Sequence, residues 1–329
     1  MRGRKKIMNN KYRKMIASLK LKGANYFLLF IDGKFIPQLS TPQTDLPVFL
    51  RNPVTKKNFS FKFPKNKILT QPVHCLFITT KSAAAKLCNL INVGENGTIT
   101  IIEEHLDNAT KKCSCKVDTE IIAAKNSKIN YTKLFQNSKT RALTSYISST
   151  KVTQRQESNA AINYGIKNIS TIDENLQVTL HEKAISKILG WCAVGKNQSI
   201  TVATTIEHHA AQAVSEELFK YILHHNGKGS FSGKILVPAK VKQSIAKLYN
   251  KNLLLNPAAQ MHTAPVLEIY ADDVAVHHGA ATGQLDEAAL FYLQTRGLKL
   301  KDAREILIHA FIAEVTAQFP AALQDKINR

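Results

Sequence analysis

Two short motifs contain residue types that could bind a phosphate or a zinc ion, but the spacing of the residues in each motif argues against that function. Gly227–Lys234 resembles a phosphate-binding loop, but Lys228 stands where the loop needs its first glycine, and Ile235 where it needs a Ser or Thr for Mg²⁺. His181-Glu182 lacks the second histidine, four residues later, that a zinc-binding protease helix requires. These motifs therefore predict neither a nucleotide site nor a zinc-protease site.

Cysteine and histidine pairs are further candidate metal ligands. Cys113 and Cys115 could bind a soft metal, but no second cysteine pair lies near them, and we expect a strand with one thiol on each face. The adjacent pairs His208-His209, His224-His225 and His277-His278 diverge in an extended chain, so none forms a chelate alone, and the first two are expected at the surface. Five thinly spread cysteines indicate a reducing compartment and not a disulfide framework.

The composition is that of a globular protein with a basic excess. Of 329 residues, 44% are hydrophobic and 21% charged, enough apolar side chains for one large core or two smaller ones. The formal net charge is +21, and residues 1–67 contribute +14 of it. This balance is typical of proteins with an anionic partner, so one alternative is a basic β protein that binds nucleic acid. The 7% aromatic content and the lack of a base-stacking motif count against that alternative.

The N-terminal segment, residues 1–71, is basic and heterogeneous. Tyr26–Ile31 and Lys34–Ile36 predict two short strands around a tight Asp-Gly turn. Met1–Lys22 has apolar residues at helical spacing and no acid, which indicates a basic amphipathic helix or, as a second interpretation, an organellar presequence. No apolar run reaches the ~20 residues of a membrane helix. We expect a cytoplasmic protein, or one of an organellar stroma or matrix if the presequence interpretation holds.

Short runs of β-branched and aliphatic residues recur from Pro72 to Thr205 and predict many short strands. Between Lys116 and Glu182 the only Gly or Pro is Gly165, so tight hairpin turns are not the main connectors. Two architectures fit this pattern: a parallel coil of strands, or an antiparallel sandwich with longer connections. Asparagines, which tolerate the left-handed corners of a coil, are frequent at Asn126, Asn130, Asn137, Asn159, Asn163, Asn168 and Asn175.

The last part of the chain predicts helices. Ala210–Leu223 has apolar residues at helical spacing, which indicates a short helical interruption or a strand-loop element. Asp286 predicts the start of a later helix and Gly297 its end. A second helix, from about Lys301 to Phe319, carries an apolar stripe broad enough to need a partner surface. We therefore expect a helical hairpin on a β body.

One long stretch of the sequence is specific to a known family. Leu267–Gly283, which reads LEIYADDVAVHHGAATG, together with Leu285–Gly297, closely resembles the C-terminal signature of the SufB/SufD family, the scaffold proteins of the SUF iron–sulfur cluster assembly system. The resemblance is weakest between Cys113 and Gln156. Supporting blocks are Phe30–Pro37, Asn89–Glu104, Gly227–Ile235 and Asn250–Leu255.

The resemblance implies a mainly β fold: a right-handed parallel β-helix core with a C-terminal helical domain and a short N-terminal basic or helical segment. It thus favours the coil over the sandwich. It divides the chain into an N-terminal segment with a strand-turn (1–71), the β-helix core (72–284) and the C-terminal helical domain (285–329). It also implies a scaffold subunit and not an enzyme, with no stably bound cofactor of its own and a transient iron–sulfur cluster shared with SufB.

Two positions favour the SufD-like members of the family. Val276 stands where SufB-like members, and many SufD-like ones, have a cysteine, and Ala275 stands where a lysine is common. His278 matches the family histidine that faces the partner's cysteine, so it is the candidate iron or cluster ligand at the interface with a SufB-like subunit. His277, the next residue of the same strand, should point to the other face.

The resemblance also implies a second partner, a SufC-like ABC ATPase that docks on the C-terminal helices. Gly297, Ile306, Leu307 and Phe311 are the candidate docking residues, and the alternative is that the apolar stripe packs on the β body. Neither a membrane nor nucleic acid is expected as a partner. The region before the Asp-Gly turn is shorter than in most SufD relatives.

Overall fold

A computed structural model of the protein shows a parallel β-solenoid followed by a helical hairpin. It describes residues 19–21, 23–42, 44–50, 54–55, 58–80, 85–109, 111–137 and 144–323. The described strands form two sheets, sheet A with ten strands and sheet B with nine. From the fourth strand onward, successive strands alternate between the sheets, and each pairs in parallel with the next strand but one. The predicted parallel coil is therefore confirmed. The antiparallel sandwich is wrong, because the only antiparallel pairs among the described residues are two short N-terminal hairpins.

The strands in chain order are β1 (Tyr26–Ile31), β2 (Lys34–Phe35), β3 (Val54–Thr55), β4 (Asn58–Phe63), β5 (Val73–Thr79), β6 (Ala85–Val93), β7 (Thr98–Asp107), β8 (Cys113–Ala123), β9 (Lys128–Asn137), β10 (Thr144–Gln154), β11 (Asn159–Lys167), β12 (Thr171–Leu180), β13 (Ile185–Val194), β14 (Ser199–His208), β15 (Val214–Leu223), β16 (Lys228–Val237), β17 (Ser244–Leu254), β18 (Gln260–Ile269) and β19 (Val274–Gly283). Sheet A contains β1, β2 and the odd-numbered strands from β5, and sheet B contains β3, β4 and the even-numbered strands from β6. The helices are α1 (Glu287–Thr295) and α2 (Leu300–Thr316), and short 3₁₀ turns span Pro37–Leu39 and Val48–Leu50.

The inner faces of the two sheets enclose one continuous apolar core. Buried and outward side chains alternate along most strands, so equivalent positions stack from one turn of the solenoid to the next. Burial of each such side chain contributes about 1.5–3 kcal/mol. One stacked row in sheet B consists of Ile121, Val152, Val178, Ile206 and Ile235.

Left-handed residues turn the chain between the sheets. Asn66, Asn96 and Asn126 have φ of 56°, 54° and 52°, and each later side-chain amide donates to the carboxamide oxygen of the asparagine one turn earlier. The corner predictions for Asn126 and Asn168 (φ 56°) are confirmed. Those for Asn130, Asn137, Asn159, Asn163 and Asn175 are wrong, since these residues lie in strands. Asparagine also stacks along strands, as where Asn163 donates to Asn130.

The N-terminal strand-turn is present. Phe30 pairs with Phe35 across β1 and β2, and the turn residues Asp32 and Gly33 have φ of 49° and 75°. β1 also pairs in parallel with β5, and β4 with β6, so residues before 72 contribute strands to both sheets. The basic amphipathic stretch of residues 1–18 lies outside the described residues.

The helical interruption predicted for Ala210–Leu223 is wrong, because residues 214–223 form β15. The inward side chains of β15 lie in the core, and its outward residues Leu218 and Ile222 pack under α2. Because both faces of the strand carry apolar residues, the alternation of apolar and polar residues that marks a strand is hidden in the sequence.

The predicted helical hairpin is confirmed. The carboxylate of Asp286 accepts from two backbone amides at the start of α1, and Gly297 ends α1 with φ 89°. Ile312 and Val315 of α2 are buried against sheet A.

Candidate functional site

The last turn of the solenoid, formed by β18 and β19, is its open end. β18 is the terminal strand of sheet B and β19 that of sheet A. No side chain of either strand is fully buried, whereas inward side chains of β17, one turn earlier, are. The open end therefore exposes both the edge of the core and the free backbone edges of two sheets.

The two signature histidines lie on opposite faces of β19. His278 is in register with Leu248, which is fully buried in the core, so His278 continues the inward row onto the open end. His277 is in register with the exposed Lys247 on the outer face of sheet A. Both imidazoles are exposed. An exposed imidazole nitrogen can bind a metal ion that is presented from outside the chain.

No thiol accompanies His278 at the open end. Val276, two residues earlier in the same inward row, packs its half-buried side chain on the core. Burial raises the pKa of the Cys75 and Cys192 thiols well above the ordinary value and that of Cys115 to about 12, so these thiols stay protonated inside the solenoid. A thiolate ligand at the open end must come from another molecule.

A layer of hydrogen-bonded polar side chains lies just beneath the open end. The Asn250 Oδ1 atom accepts from Thr263 Oγ1 at 2.8 Å and from Asn252 Nδ2 at 2.7 Å. Asn252 Nδ2 also donates to Thr282 Oγ1 at 3.1 Å. This layer ties β17 to both terminal strands.

No group of three or more His, Cys, Asp or Glu side chains that could hold a metal ion occurs among the described residues. A metal ion at His278 would therefore need further ligands from outside the described residues.

The candidate docking residues lie at different depths on the helical hairpin. Gly297 is exposed between the helices, and Ile306 is 45% exposed on α2. Leu307 is half-buried. Phe311 packs on sheet A, where Lys220 Nζ lies 5.0 Å from its ring centroid and donates to its carbonyl oxygen at 2.6 Å. The N-terminal part of α2 borders a groove of about 630 Å³ between the helices and the solenoid.

A group of ionisable side chains that was not predicted from the sequence is buried within the solenoid. Glu103 Oε1 lies 2.7 Å from His105 Nε2, and Glu103 Oε2 accepts from Tyr131 at 2.8 Å. Burial opposes ionisation of Glu103, but the His105 hydrogen bond and the charge of Lys133 outweigh it and lower the pKa to about 2.

Lys133 extends this network to the other sheet. It is fully buried, donates to Ser148 and Thr150 at 2.8 and 2.9 Å, and lies 3.7 Å from Glu174. The signal in the sequence was a charged residue at an inward position of an otherwise apolar strand.

Two expectations about possible metal ligands are wrong. Cys113 and Cys115 point to the same face of β8, because side chains two residues apart in a strand share a face. His208 is not a surface residue: it lies in the inward row of β14, its Nε2 atom is 2.8 Å from Ser215 Oγ, and burial lowers its pKa to about 4.

The fold is a parallel β-solenoid whose last turn leaves two strand edges and the end of the core exposed. Residues 76–311 match the model of the SUF system FeS cluster assembly, SufBD core domain, so the chain belongs to the SufBD family. This confirms the resemblance found in the sequence.

Two curated relatives carry a SufBD or SufD name. The chain is 30% identical over 282 residues to an iron–sulfur cluster assembly SufBD family protein of Synechocystis, covering 81% of this chain and 61% of that protein. It is 24% identical over 317 residues to SufD of Escherichia coli, covering 88% of this chain and 74% of that protein. A relative from Arabidopsis thaliana, 30% identical over 235 residues (69% of this chain, 48% of that protein), is named chloroplastic. Among the described residues, no helix is long and apolar enough to cross a membrane.

Proposed function

We propose that this chain is a SufD-like scaffold subunit that pairs through its open end with a SufB-like subunit. The observation that supports it most directly is the inward row of β19, which carries an exposed His278 and, in place of a thiol, Val276. The partner supplies the thiolate and this chain the imidazole. Mixed ligation of iron–sulfur clusters by histidine and cysteine is known chemistry. The cluster is the cargo of the complex and not a resident cofactor of this chain.

The helical hairpin docks a SufC-like ABC ATPase in this proposal. Ile306 is an apolar side chain of α2 that is 45% exposed. Other residues of α1 and of the start of α2 line a groove between the helices and the solenoid. α2 is held to sheet A at its other half, so movement of a docked ATPase reaches the solenoid through packed side chains. The chain has no catalytic role of its own, and ATP hydrolysis belongs to the docked subunit.

The histidine is tested by co-expression of the three subunits followed by anaerobic reconstitution with iron and sulfide. His278→Ala should leave the complex assembled and reduce the visible absorption of the cluster. The matched control is His277→Ala, which removes an exposed imidazole from the opposite face of the same strand and should leave the absorption unchanged. Equal absorption for both variants and the unaltered complex would reduce His278 to a surface residue.

The docking site is tested by co-purification with the ATPase. Ile306→Glu should weaken ATPase binding while the SufB-like subunit stays bound, because a charge replaces an exposed apolar contact. Gln318→Ala alters an exposed position just beyond the C-terminal end of the same helix, away from Ile306 and from the groove, and should have no effect. Normal ATPase recovery with Ile306→Glu would remove this residue from the interface.

A further inference from the structure

The helical hairpin covers only part of the outer face of sheet A. Leu189 of β13 and Leu218 and Ile222 of β15 form one buried cluster with Ile312 and Val315 of α2. Four residues before Leu189 and Leu218, about 13 Å away along each strand, the outer side chains reach solvent. α2 therefore shows how a helix binds this sheet, and a second area of the same face has no cover among the described residues.

The outer stripe is a row of three β-branched residues in that area, Ile185, Val214 and Ile245. They lie in register on β13, β15 and β17, which are neighbours in sheet A. Ile185 is 44% and Ile245 41% exposed, and Val214 is half-buried. Single exposed apolar residues are normal on a protein surface, whereas a continuous row of them indicates a binding surface.

Unpaired lysines flank the outer stripe on both sides. The flanking rows lie two residues after it and two residues before it, and they consist of Lys187, Glu216 and Lys247 on the sheet and of Lys183, Gln212 and Gln243 at the turn from sheet B. None of the three lysines forms an ion pair with an acid of the described residues. With three lysines against one glutamate, the flanks favour a ligand that carries negative charge.

α2 supplies the precedent for such a ligand. Its Glu314 carboxylate lies 2.7 Å from Lys220 Nζ and 3.6 Å from Lys251 Nζ, and these two lysines are in register on β15 and β17. The helix thus combines apolar packing with an acid held by lysines of the sheet. Strands lie about 4.8 Å apart and a helix rises about 5.4 Å per turn, so side chains one turn apart on a helix can meet consecutive members of the outer stripe.

We propose that the outer stripe binds an acidic amphipathic helix of another protein, laid across β13, β15 and β17 in the manner of α2. The apolar residues of that helix cover the outer stripe, and its flanking carboxylates pair with the lysines. Nucleic acid would also attract the lysines, but it would leave the apolar row uncovered and would meet Glu216. The outer stripe lies on neither the open end nor the helical hairpin, so this binding does not depend on the proposed function.

Fluorescence anisotropy of labelled peptides added to the full-length chain tests the binding. The probe is a synthetic helix of about 18 residues, or about five turns, with leucines along one face and glutamates on both flanks. One control peptide has the same leucines with lysine flanks, and another has the probe composition in scrambled order. The glutamate peptide should bind at least about tenfold more tightly than either control at ~0.1 M salt. Equal binding of all three, or no saturable binding of the glutamate peptide up to about 1 mM, would overturn the proposal.

Substitutions in the full-length chain locate the binding site. Ile185→Thr combined with Ile245→Thr keeps β-branched residues in both strands and should weaken binding of the glutamate peptide about tenfold or more, because apolar contact is lost. The matched control is Ile147→Thr, which alters an isoleucine that is 54% exposed on the outer face of sheet B and should have no effect. No loss with the double variant, or an equal loss with the control, would contradict the site.

A charge reversal tests the flanks separately. Lys187→Glu combined with Lys247→Glu should make the lysine peptide the tighter ligand, a result that loss of folding cannot produce. An unchanged preference for the glutamate peptide would overturn the role of the lysines and the acidic partner with it. A labelled DNA duplex that binds more tightly than the glutamate peptide, and is lost with the same charge reversal, would make nucleic acid the occupant and would also overturn the proposal.

Discussion

Glu217 is a buried carboxyl group with one hydrogen-bond partner inside the solenoid. It lies in the inward row of β15 and is fully buried. Its Oε2 atom accepts from Thr204 at 3.1 Å, and its Oε1 atom has no partner among the described residues. Burial raises the pKa of Glu217 to about 8, and the Thr204 hydrogen bond offsets part of that rise. Glu217→Gln keeps the shape and makes the group permanently neutral.

The size of the effect depends on pH. The pKa of Glu217 in the folded chain, about 8, exceeds the ordinary 4.5, so between these values the folded chain binds a proton that the unfolded chain releases. The contribution of Glu217 to stability is therefore greatest below pH 4.5 and falls as the pH rises to about 8. At about 1.4 kcal/mol per pH unit, the cost is about 3 kcal/mol at pH 7. An unpaired amide donor of Gln costs about 1 kcal/mol. Glu217→Gln should therefore stabilise the protein by about 2 kcal/mol at pH 7 and by almost nothing at pH 5.

Urea denaturation at pH 5, 7 and 8.5 measures this difference. The emission of Trp191, which is 4% exposed and is the single tryptophan, reports unfolding. The control Glu216→Gln changes the exposed neighbour on the outer face of the same strand and should show no pH-dependent difference from the unaltered chain. If the free-energy difference between Glu217→Gln and the unaltered chain does not grow with pH, the carboxyl is not held neutral and the reasoning is refuted.

Three further perturbations test the packing. Lys133→Met should destabilise the fold by about 3 kcal/mol or more in urea unfolding, because it leaves the buried Glu174 carboxylate without its cation, and adding Glu174→Gln should recover part of the loss. Gly190→Ala would place a Cβ atom 2.1 Å from the Phe219 ring, so it should lower the melting temperature. Adding Phe219→Leu should relieve the clash. An unchanged melting temperature with Gly190→Ala would contradict the close packing of Phe219 on Gly190. Lys220→Met should loosen α2 and shift the tryptophan emission to longer wavelength. The reason is that Lys220 holds α2 by a hydrogen bond to the Phe311 carbonyl oxygen and an ion pair with Glu314.

Local signals predicted the parts of the fold that are held by local interactions. The Asp-Gly turn after Tyr26–Ile31 and the helix between Asp286 and Gly297 depend on turn and cap chemistry within a few residues. Ala210–Leu223 stayed ambiguous between a helix and a strand-loop element, of which the second is correct, because the residues that cover its outer face lie on α2, nearly a hundred positions later. Periodicity reports how many faces of a segment are apolar and not which element covers them.

The same division applies to the candidate site. The sequence by itself determined the family, the histidine at position 278 and the valine that replaces a thiol at position 276, because side-chain chemistry is written residue by residue. The tertiary structure decided that His278 continues the core row onto an open end, and that Glu103 and Lys133 meet inside the solenoid. It also decided which apolar residues share an exposed row. These facts depend on the register of strands about 30 residues apart in the chain, and that register is set by the length of each turn and not by any local pattern.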